Sequence, residues 1–103
     1  LKIMDTNKLK DLLGKKGVAL VEFYASWCPH CHRMMPVVDD IRALMDGQAE
    51  VYQFDIDENS ELANELGVTS VPTFIVYRDD RETWRASGEM DGNIIVSHIQ
   101  EAL

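Results

Sequence analysis

The sequence predicts an α/β fold with a central mixed β-sheet flanked by helices on both faces. The first observation is a continuous apolar run at 18–24, which is typical of a strand buried on both sides. The second is an apolar stripe at helical spacing from residue 29 to about residue 45. The third is a β-rich run at 72–77 followed by a turn signal and a further strand, which indicates a hairpin. Strands and helices in alternation require helices packed against a sheet.

The N-terminal part is predicted to alternate strand and helix. Leu1–Met4 is predicted as a short edge strand, and Thr6–Leu13 as a short helix closed by a glycine. Val18–Tyr24 is the buried strand, and only Glu22 interrupts its apolar character. A long helix follows from Pro29, which suits a first helical turn because its missing N–H costs nothing there.

The long helix is predicted to end near residue 45. Pro36 falls inside it and is expected to kink it. Its inner face is expected to carry five apolar side chains, namely Met34, Val37, Val38, Ile41 and Met45.

The C-terminal part is predicted to contain two more helices and three strands. Glu50–Ile56 alternates like a strand, and Asn59–Leu66 is a short helix ended by a glycine. Pro72–Tyr77 and Glu82–Ser87 form the hairpin, and Asp91 caps the last helix. The apolar residues of that helix are Ile94, Ile95, Ile99 and Leu103. The predicted order is βαβαβαββα in a single domain over residues 1–103.

Composition limits the class of protein. The chain has 103 residues, 46% hydrophobic and 27% charged, which is ordinary for one globular domain. Its formal net charge of −8 argues against nucleic acid or an anionic membrane as a partner. We expect a monomer that binds neither. The absence of an apolar leader favours the cytoplasm, whereas a processed N-terminus would fit a periplasmic or other extracytoplasmic location.

Both cysteines of the chain lie in Trp27–Cys31, three residues apart. Such a pair can close and reopen a small disulfide ring and thereby pass on two electrons by thiol–disulfide exchange. Half of a zinc site is an alternative, but structural zinc usually needs four ligands and the second pair is missing. An inert structural disulfide is a further alternative. We expect no metal and no cofactor beyond the redox-active disulfide.

The C-x-x-C pair lies at a strand-to-helix junction, within a set that consists of Val21–Cys31, Pro36, Val71–Thr73 and Gly88. Through these residues the chain resembles the thioredoxin family over nearly its whole length. The resemblance implies the thioredoxin fold and an enzyme that exchanges thiols and disulfides. It also implies protein substrates with disulfides or thiols, and a reductase or oxidase that recycles the cysteine pair.

The two cysteines are expected to have different roles. Cys28 falls at the N-cap of the long helix, with Pro29 as the first helical residue. Unpaired backbone N–H groups and the helix dipole stabilise a thiolate there and lower a cysteine pKa. Cys28 is therefore the expected nucleophile. Cys31, one turn inside the helix, is expected to be more buried and to act as the resolving cysteine.

His30 bears on the direction of electron flow. A Pro-His dipeptide between the cysteines resembles the bacterial periplasmic disulfide oxidase, whereas the compact body resembles thioredoxin itself. An imidazole N–H near the Cys28 sulfur would stabilise the thiolate and make the disulfide more oxidising. A solvated His30 without effect is the alternative.

Glu22 stands where thioredoxins carry a buried Asp and protein disulfide isomerases carry Glu. The resemblance implies a carboxylate behind Cys31 that accepts its proton, with a pKa raised by desolvation. An exposed strand glutamate is the alternative. Gln53 occupies the place where the family often has a lysine paired with this acid, so the tuning by that lysine does not carry over.

Val71-Pro72-Thr73 resembles the cis-proline loop of the family. The resemblance implies that this loop faces the cysteines and that its backbone pairs with an extended substrate segment, as in β-strand addition. Trp27, Tyr24 and Pro72 are expected to form an apolar rim. Trp27, Val71, Pro72 and Thr73 are thus the predicted substrate-binding residues.

The predicted function is thiol–disulfide exchange with protein substrates, in the direction of a thioredoxin-like disulfide reductase. A more oxidising disulfide oxidase or isomerase is the alternative that His30 suggests. A redox-silent module that uses only the peptide groove of the fold is a further alternative.

Overall fold

The computed structural model describes residues 16–103, so the predicted strand Leu1–Met4 and helix Thr6–Leu13 lie outside the described residues. Four strands and three helices follow one another in the described part of the chain. In order they are β1 Val18–Tyr24, α1 Pro29–Leu44, β2 Ala49–Asp55, α2 Ser60–Glu65, β3 Thr73–Arg78, β4 Arg81–Ser87 and α3 Gly92–Ala102. Each corresponds to a predicted element, with ends that differ by at most one residue.

The four described strands form one mixed sheet in the order β2-β1-β3-β4. β1 pairs in parallel with β2 and antiparallel with β3, and β3 pairs antiparallel with β4. The central position of β1 follows from its apolar run, because a strand with apolar side chains on both faces is stable only where both faces are covered. The predicted α/β class with a mixed central sheet is confirmed.

Helices cover both faces of the sheet, as predicted. On one face, α1 and α3 pack against β1 and β3 through Val18, Leu20, Phe74, Val76, Met34, Val38, Ile41, Ile95 and Ile99. On the other face, α2 packs through Leu62 and Ala63 against Val21, Phe23, Phe54, Ile75 and Tyr77. Alternate residues of β1 thus enter different cores, which places Glu22 on the face that α1 covers.

The helix α1 has the predicted start and the predicted inner face. Its first residue is Pro29, Cys28 is its N-cap and Pro36 lies inside it. Among the expected inner residues, Met34, Val38, Ile41 and Met45 are buried, and Val37 is half-buried. The helix therefore presents its N-terminus to the end of β1 and its apolar stripe to the sheet.

The last helix begins as predicted, and its packing selects which of its apolar residues face the core. Asp91 caps α3 as expected, because its Oδ1 accepts the Asn93 N–H at 2.9 Å. Ile94 and Leu103 are each 47% exposed, and the buried residues of α3 are Ile95, Ile99 and Ala102. The inner stripe of α3 therefore runs 95–99–102.

We expect Ile95→Ala to destabilise the fold by about 2–5 kcal/mol, because it opens a cavity in a fully buried site. Ile94→Ala is the matched control, since it removes the same atoms from an exposed position and should cost about 0.5 kcal/mol or less. Urea unfolding of both variants measures the difference. Equal losses would contradict the register of α3.

Candidate active site

Cys28 lies where the chain turns from the end of β1 into α1. Its backbone is extended, with φ −96° and ψ 113°, and its Sγ accepts the Cys31 N–H at 3.2 Å. A side-chain acceptor at this position satisfies one of the N–H groups that a helix N-terminus leaves unpaired. The predicted N-cap position of Cys28 is thus present, and the sulfur lies at the positive end of the helix dipole.

The two cysteines are free thiols and differ little in burial. Cys28 is 3% exposed and Cys31 is 2% exposed, so Cys31 is the more buried of the two only by a small margin. Their surroundings differ instead. Burial, followed by the hydrogen bond with Cys28, raises the pKa of Cys31 to about 12. Cys31 therefore requires help from a base to become a thiolate.

The loop 71–73 lies against the cysteines. The Val71-Pro72 peptide bond is cis, and the Val71 carbonyl oxygen lies 3.9 Å from the Cys28 Sγ. The Thr73 Oγ1 donates to the Ser70 carbonyl at 2.7 Å, which holds the loop in its turn. The structure thus brings Val71 to the cysteines, as the family resemblance implied.

The predicted apolar rim is only partly present. Pro72 and Thr73 are buried, so their side chains support the loop and offer little surface. Trp27 is 65% exposed, and its indole N–H donates to the Asp57 carboxylate at 2.7 Å. Of the three residues expected at the rim, Trp27 is therefore the exposed one and Tyr24 is half-buried. Asp57 after β2 fixes the orientation of the Trp27 ring.

Glu22 is buried at the centre of the sheet, with 2% of its surface exposed. It is paired in register with Gln53 of β2, whose Nε2 donates to the Glu22 Oε1 at 2.8 Å. The Arg42 guanidinium of α1 in turn donates to the Gln53 Oε1 at 2.8 Å. Gln53 thus links the buried carboxylate to a surface cation, and the alternative of an exposed strand glutamate is wrong.

The pKa of Glu22 is raised above its usual value because burial disfavours the charged form. The Gln53 hydrogen bond and the Arg42 charge act in the opposite direction and offset part of that effect. A carboxyl group with these opposing influences can both hold and release a proton, which is the property of a general base or acid.

A cavity of about 290 Å³ connects Glu22 with Cys31. Its walls include Tyr24, Met35 and Gln53, and His32 lies at the same cavity. The cavity is large enough for several water molecules and its lining has polar groups to bind them. A proton can therefore pass between the Cys31 thiol and the Glu22 carboxylate through water.

His30 forms hydrogen bonds away from the cysteine sulfurs. Its Nδ1 lies 2.9 Å from the Glu89 Oε1 and 2.9 Å from the Arg33 guanidinium. The Arg33 Nε donates to both Glu89 oxygens, at 2.9 and 3.1 Å. The expected contact between His30 and the Cys28 sulfur is not among the hydrogen bonds of the described residues.

Sequence reasoning missed Asp57 and Glu89, and it missed the bridging contact of Gln53. Asp57 and Glu89 each follow a strand end, and an acidic residue in such a loop is too common to be a signal. Within residues 16–103, no three His, Cys, Asp or Glu side chains are grouped as metal ligands would be. Over the same residues, no helix has the length and apolar character needed to cross a membrane.

Comparison with known proteins gives a consistent result. The protein-family model for thioredoxin matches residues 1–101. A thioredoxin of Rickettsia conorii is 28% identical over 101 residues, which cover 98% of this chain and 96% of that protein. Protein disulfide-isomerase A3 of Gallus gallus is 31% identical over 99 residues, which cover 96% of this chain and 20% of that protein. A mutant thioredoxin of Halobacterium salinarum superposes with a TM-score of 0.88 at 31% identity, covering 97% of this chain and 87% of that one.

We expect Glu22→Gln to be more stable than the wild type at about pH 8, on the order of 1–3 kcal/mol, because the variant buries no charge. The native state raises the pKa of Glu22, so the stability that the protonated group provides is present below the unfolded-state value of 4.5. It is lost as pH rises through the higher native value.

The two proteins should therefore differ less at about pH 4 than at about pH 8. Urea unfolding at both pH values measures this, with the exposed Glu58→Gln as a control that should show a much smaller change. A stability difference that is independent of pH would contradict the raised pKa.

Proposed function

The chain belongs to the thioredoxin family and is a thiol–disulfide oxidoreductase, and from this premise we propose that it reduces disulfides of protein substrates through Cys28 and Cys31. The observation that carries the proposal is the buried Glu22 carboxylate, which shares a cavity with the Cys31 thiol. A purely structural disulfide would need no buried base beside it. An ionisable group held in a low-dielectric site at a cost in stability is typical of a catalytic site.

In the first step, the Cys28 thiolate attacks one sulfur of a substrate disulfide. The bond between Cys28 and this sulfur forms while the substrate S–S bond breaks, and the other substrate sulfur leaves as a thiolate that takes a proton from water. The Cys31 N–H remains directed at the Cys28 Sγ and supports the charged sulfur before attack.

In the second step, Cys31 resolves the mixed disulfide. Its thiol must lose a proton, which is difficult because burial raises its pKa to about 12. The Glu22 carboxylate accepts this proton through the cavity, and the Cys31 Sγ then attacks the Cys28 Sγ. The substrate leaves as a second thiolate, which is protonated, and the Cys28–Cys31 disulfide remains. Two electrons have passed from the dithiol to the substrate.

The substrate binds as an extended segment beside the loop 71–73. The Val71 carbonyl lies next to the Cys28 Sγ, so a strand that pairs with the Val71 backbone would bring its own disulfide to that sulfur. The exposed Trp27 ring provides apolar contact on the side of Asp57. Main-chain pairing with few side-chain contacts favours a broad range of protein substrates.

The oxidised chain requires a reductase that returns two electrons to the Cys28–Cys31 disulfide. We propose the reducing direction because His30 is bonded to Glu89 and Arg33 rather than to the Cys28 sulfur. This direction requires a reducing compartment, and we propose the cytoplasm. The Pro-His dipeptide and the likeness to a protein disulfide-isomerase favour the second candidate, an oxidase or isomerase.

We expect Cys28→Ser to abolish reduction of insulin, because the attacking sulfur is missing. We expect Cys31→Ser to retain the first attack and to accumulate a covalent adduct that dithiothreitol releases. Turbidity of insulin and intact mass measure the two outcomes. The double variant Cys28→Ser/Cys31→Ser is the control, and it should form no adduct.

Insulin reduction by Cys28→Ser, or an absence of adducts with Cys31→Ser, would overturn the proposal. A redox-silent binding module gives a different result. In that case a peptide substrate would bind equally well to the wild type and to the double variant, and neither protein would reduce it.

A further inference from the structure

Glu89 connects the loop after β4 with the first turns of α1. It follows β4, and its carboxylate contacts His30 and Arg33 in the first turns of α1. Arg33 is held by two oxygens of the same carboxylate, and its guanidinium also reaches the His30 Nδ1. We call these three residues the Glu89 cluster.

The loop that carries Glu89 is fixed to the cis-proline loop. The Gly88 N–H donates to the Pro72 carbonyl at 2.8 Å, and the Ser87 hydroxyl shares a hydrogen bond with the Thr73 hydroxyl at 2.7 Å. Gly88 has φ +101°, a conformation that L side chains rarely adopt. The Glu89 backbone is therefore held beside the loop that faces Cys28, and the carboxylate is directed to the helix.

The hydrogen bonds of the cluster compete for one atom. The His30 Nδ1 can donate to Glu89 when it carries a proton, or accept from Arg33 when it does not, but it cannot do both at once. In either state the atom has a partner inside the cluster. The hydrogen bonds from His30 and then Arg33 lower the pKa of Glu89, so its carboxylate is ionised at neutral pH and keeps both basic partners.

We propose that Glu89 is a positioning residue that holds the His30 imidazole in this cluster and so makes the cysteine pair more reducing than its Pro-His dipeptide alone would make it. The inference rests on the proposed function, because it concerns the exchange reaction of Cys28 and Cys31. It accounts for the conflict between an oxidase-like dipeptide and a thioredoxin-like body in one chain.

The charges of the cluster determine whether loss of Glu89 raises or lowers the reduction potential. Loss of the Glu89 carboxylate removes the negative charge that pairs with His30 and Arg33, and it frees both basic side chains whichever tautomer His30 adopts. Each change favours the Cys28 thiolate, and a more stable thiolate means a more stable reduced form. The reduction potential of Glu89→Gln should therefore be less negative than that of the wild type.

The equilibrium with glutathione measures this effect. The Cys28–Cys31 disulfide and two glutathione molecules give the dithiol and one glutathione disulfide, with two electrons and two protons transferred. We expect Glu89→Gln to shift this equilibrium toward the dithiol by about twofold to fivefold, which is the size of an effect from exposed charges. That range corresponds to about 9–21 mV for a two-electron couple.

Two further variants test whether Glu89 acts through His30. In a His30→Ala background, Glu89→Gln should produce less than half of the shift that it produces in the wild type. Glu101→Gln is the matched control, because Glu101 also pairs with a histidine, His98, at 3.1 Å on α3. It should leave the potential unchanged. Thermal unfolding of each variant reports whether the fold is intact.

An unchanged or more negative potential in Glu89→Gln would overturn the inference, as would a shift of half the wild-type size or more in the His30→Ala background. The second result would mean that the Glu89 charge acts on the sulfurs without His30. Failure of the proposed function is distinguishable from failure of this inference. A wild-type protein whose Cys28–Cys31 disulfide does not exchange with glutathione would overturn both the proposed function and the role of Glu89. A wild type that exchanges, with a Glu89→Gln variant of unchanged potential, would overturn only the role of Glu89.

Discussion

The hydrogen bond from the Cys31 N–H to the Cys28 Sγ is the interaction on which the site depends. It makes the Cys28 sulfur the N-cap of α1, so the residue at which the helix begins is also the proposed nucleophile. Pro29 supports it because a first-turn proline leaves no unpaired N–H to compete for the sulfur. The helix spacing then places Cys31 one turn inside, where burial and the hydrogen bond with Cys28 raise the pKa of its thiol.

The sheet provides the carboxylate that we propose as the base for Cys31. A strand buried on both faces is an unfavourable place for a carboxylate, yet β1 carries Glu22 there, beside the thiol that needs a base. The Gln53 hydrogen bond and the Arg42 charge offset part of the desolvation of the Glu22 carboxylate, but the pKa of Glu22 remains raised. The proton transfer that we propose for Glu22 therefore has a cost in stability, as is common at catalytic sites.

Much of the fold and part of the site could be predicted, because local patterns determine them. The apolar run of β1, the stripe of α1 and the hairpin are periodic, and Cys28 and Glu22 lie in fixed relation to them. The sequence alone does not determine which side of α3 faces the sheet, because Ile94 and Ile95 are equally apolar and only tertiary packing selects between them. Glu89 contacts His30 across 59 residues of sequence, and no local pattern records such a long-range pairing.

The central claim is that this chain reduces disulfides although it has a Pro-His dipeptide between its cysteines. Equilibration of the wild-type protein with reduced and oxidised glutathione, with the dithiol fraction read by alkylation and mass, tests it most directly. We expect a reduction potential near that of thioredoxin, about −270 mV. A potential near about −120 mV, as in a strong disulfide oxidase, would contradict the claim.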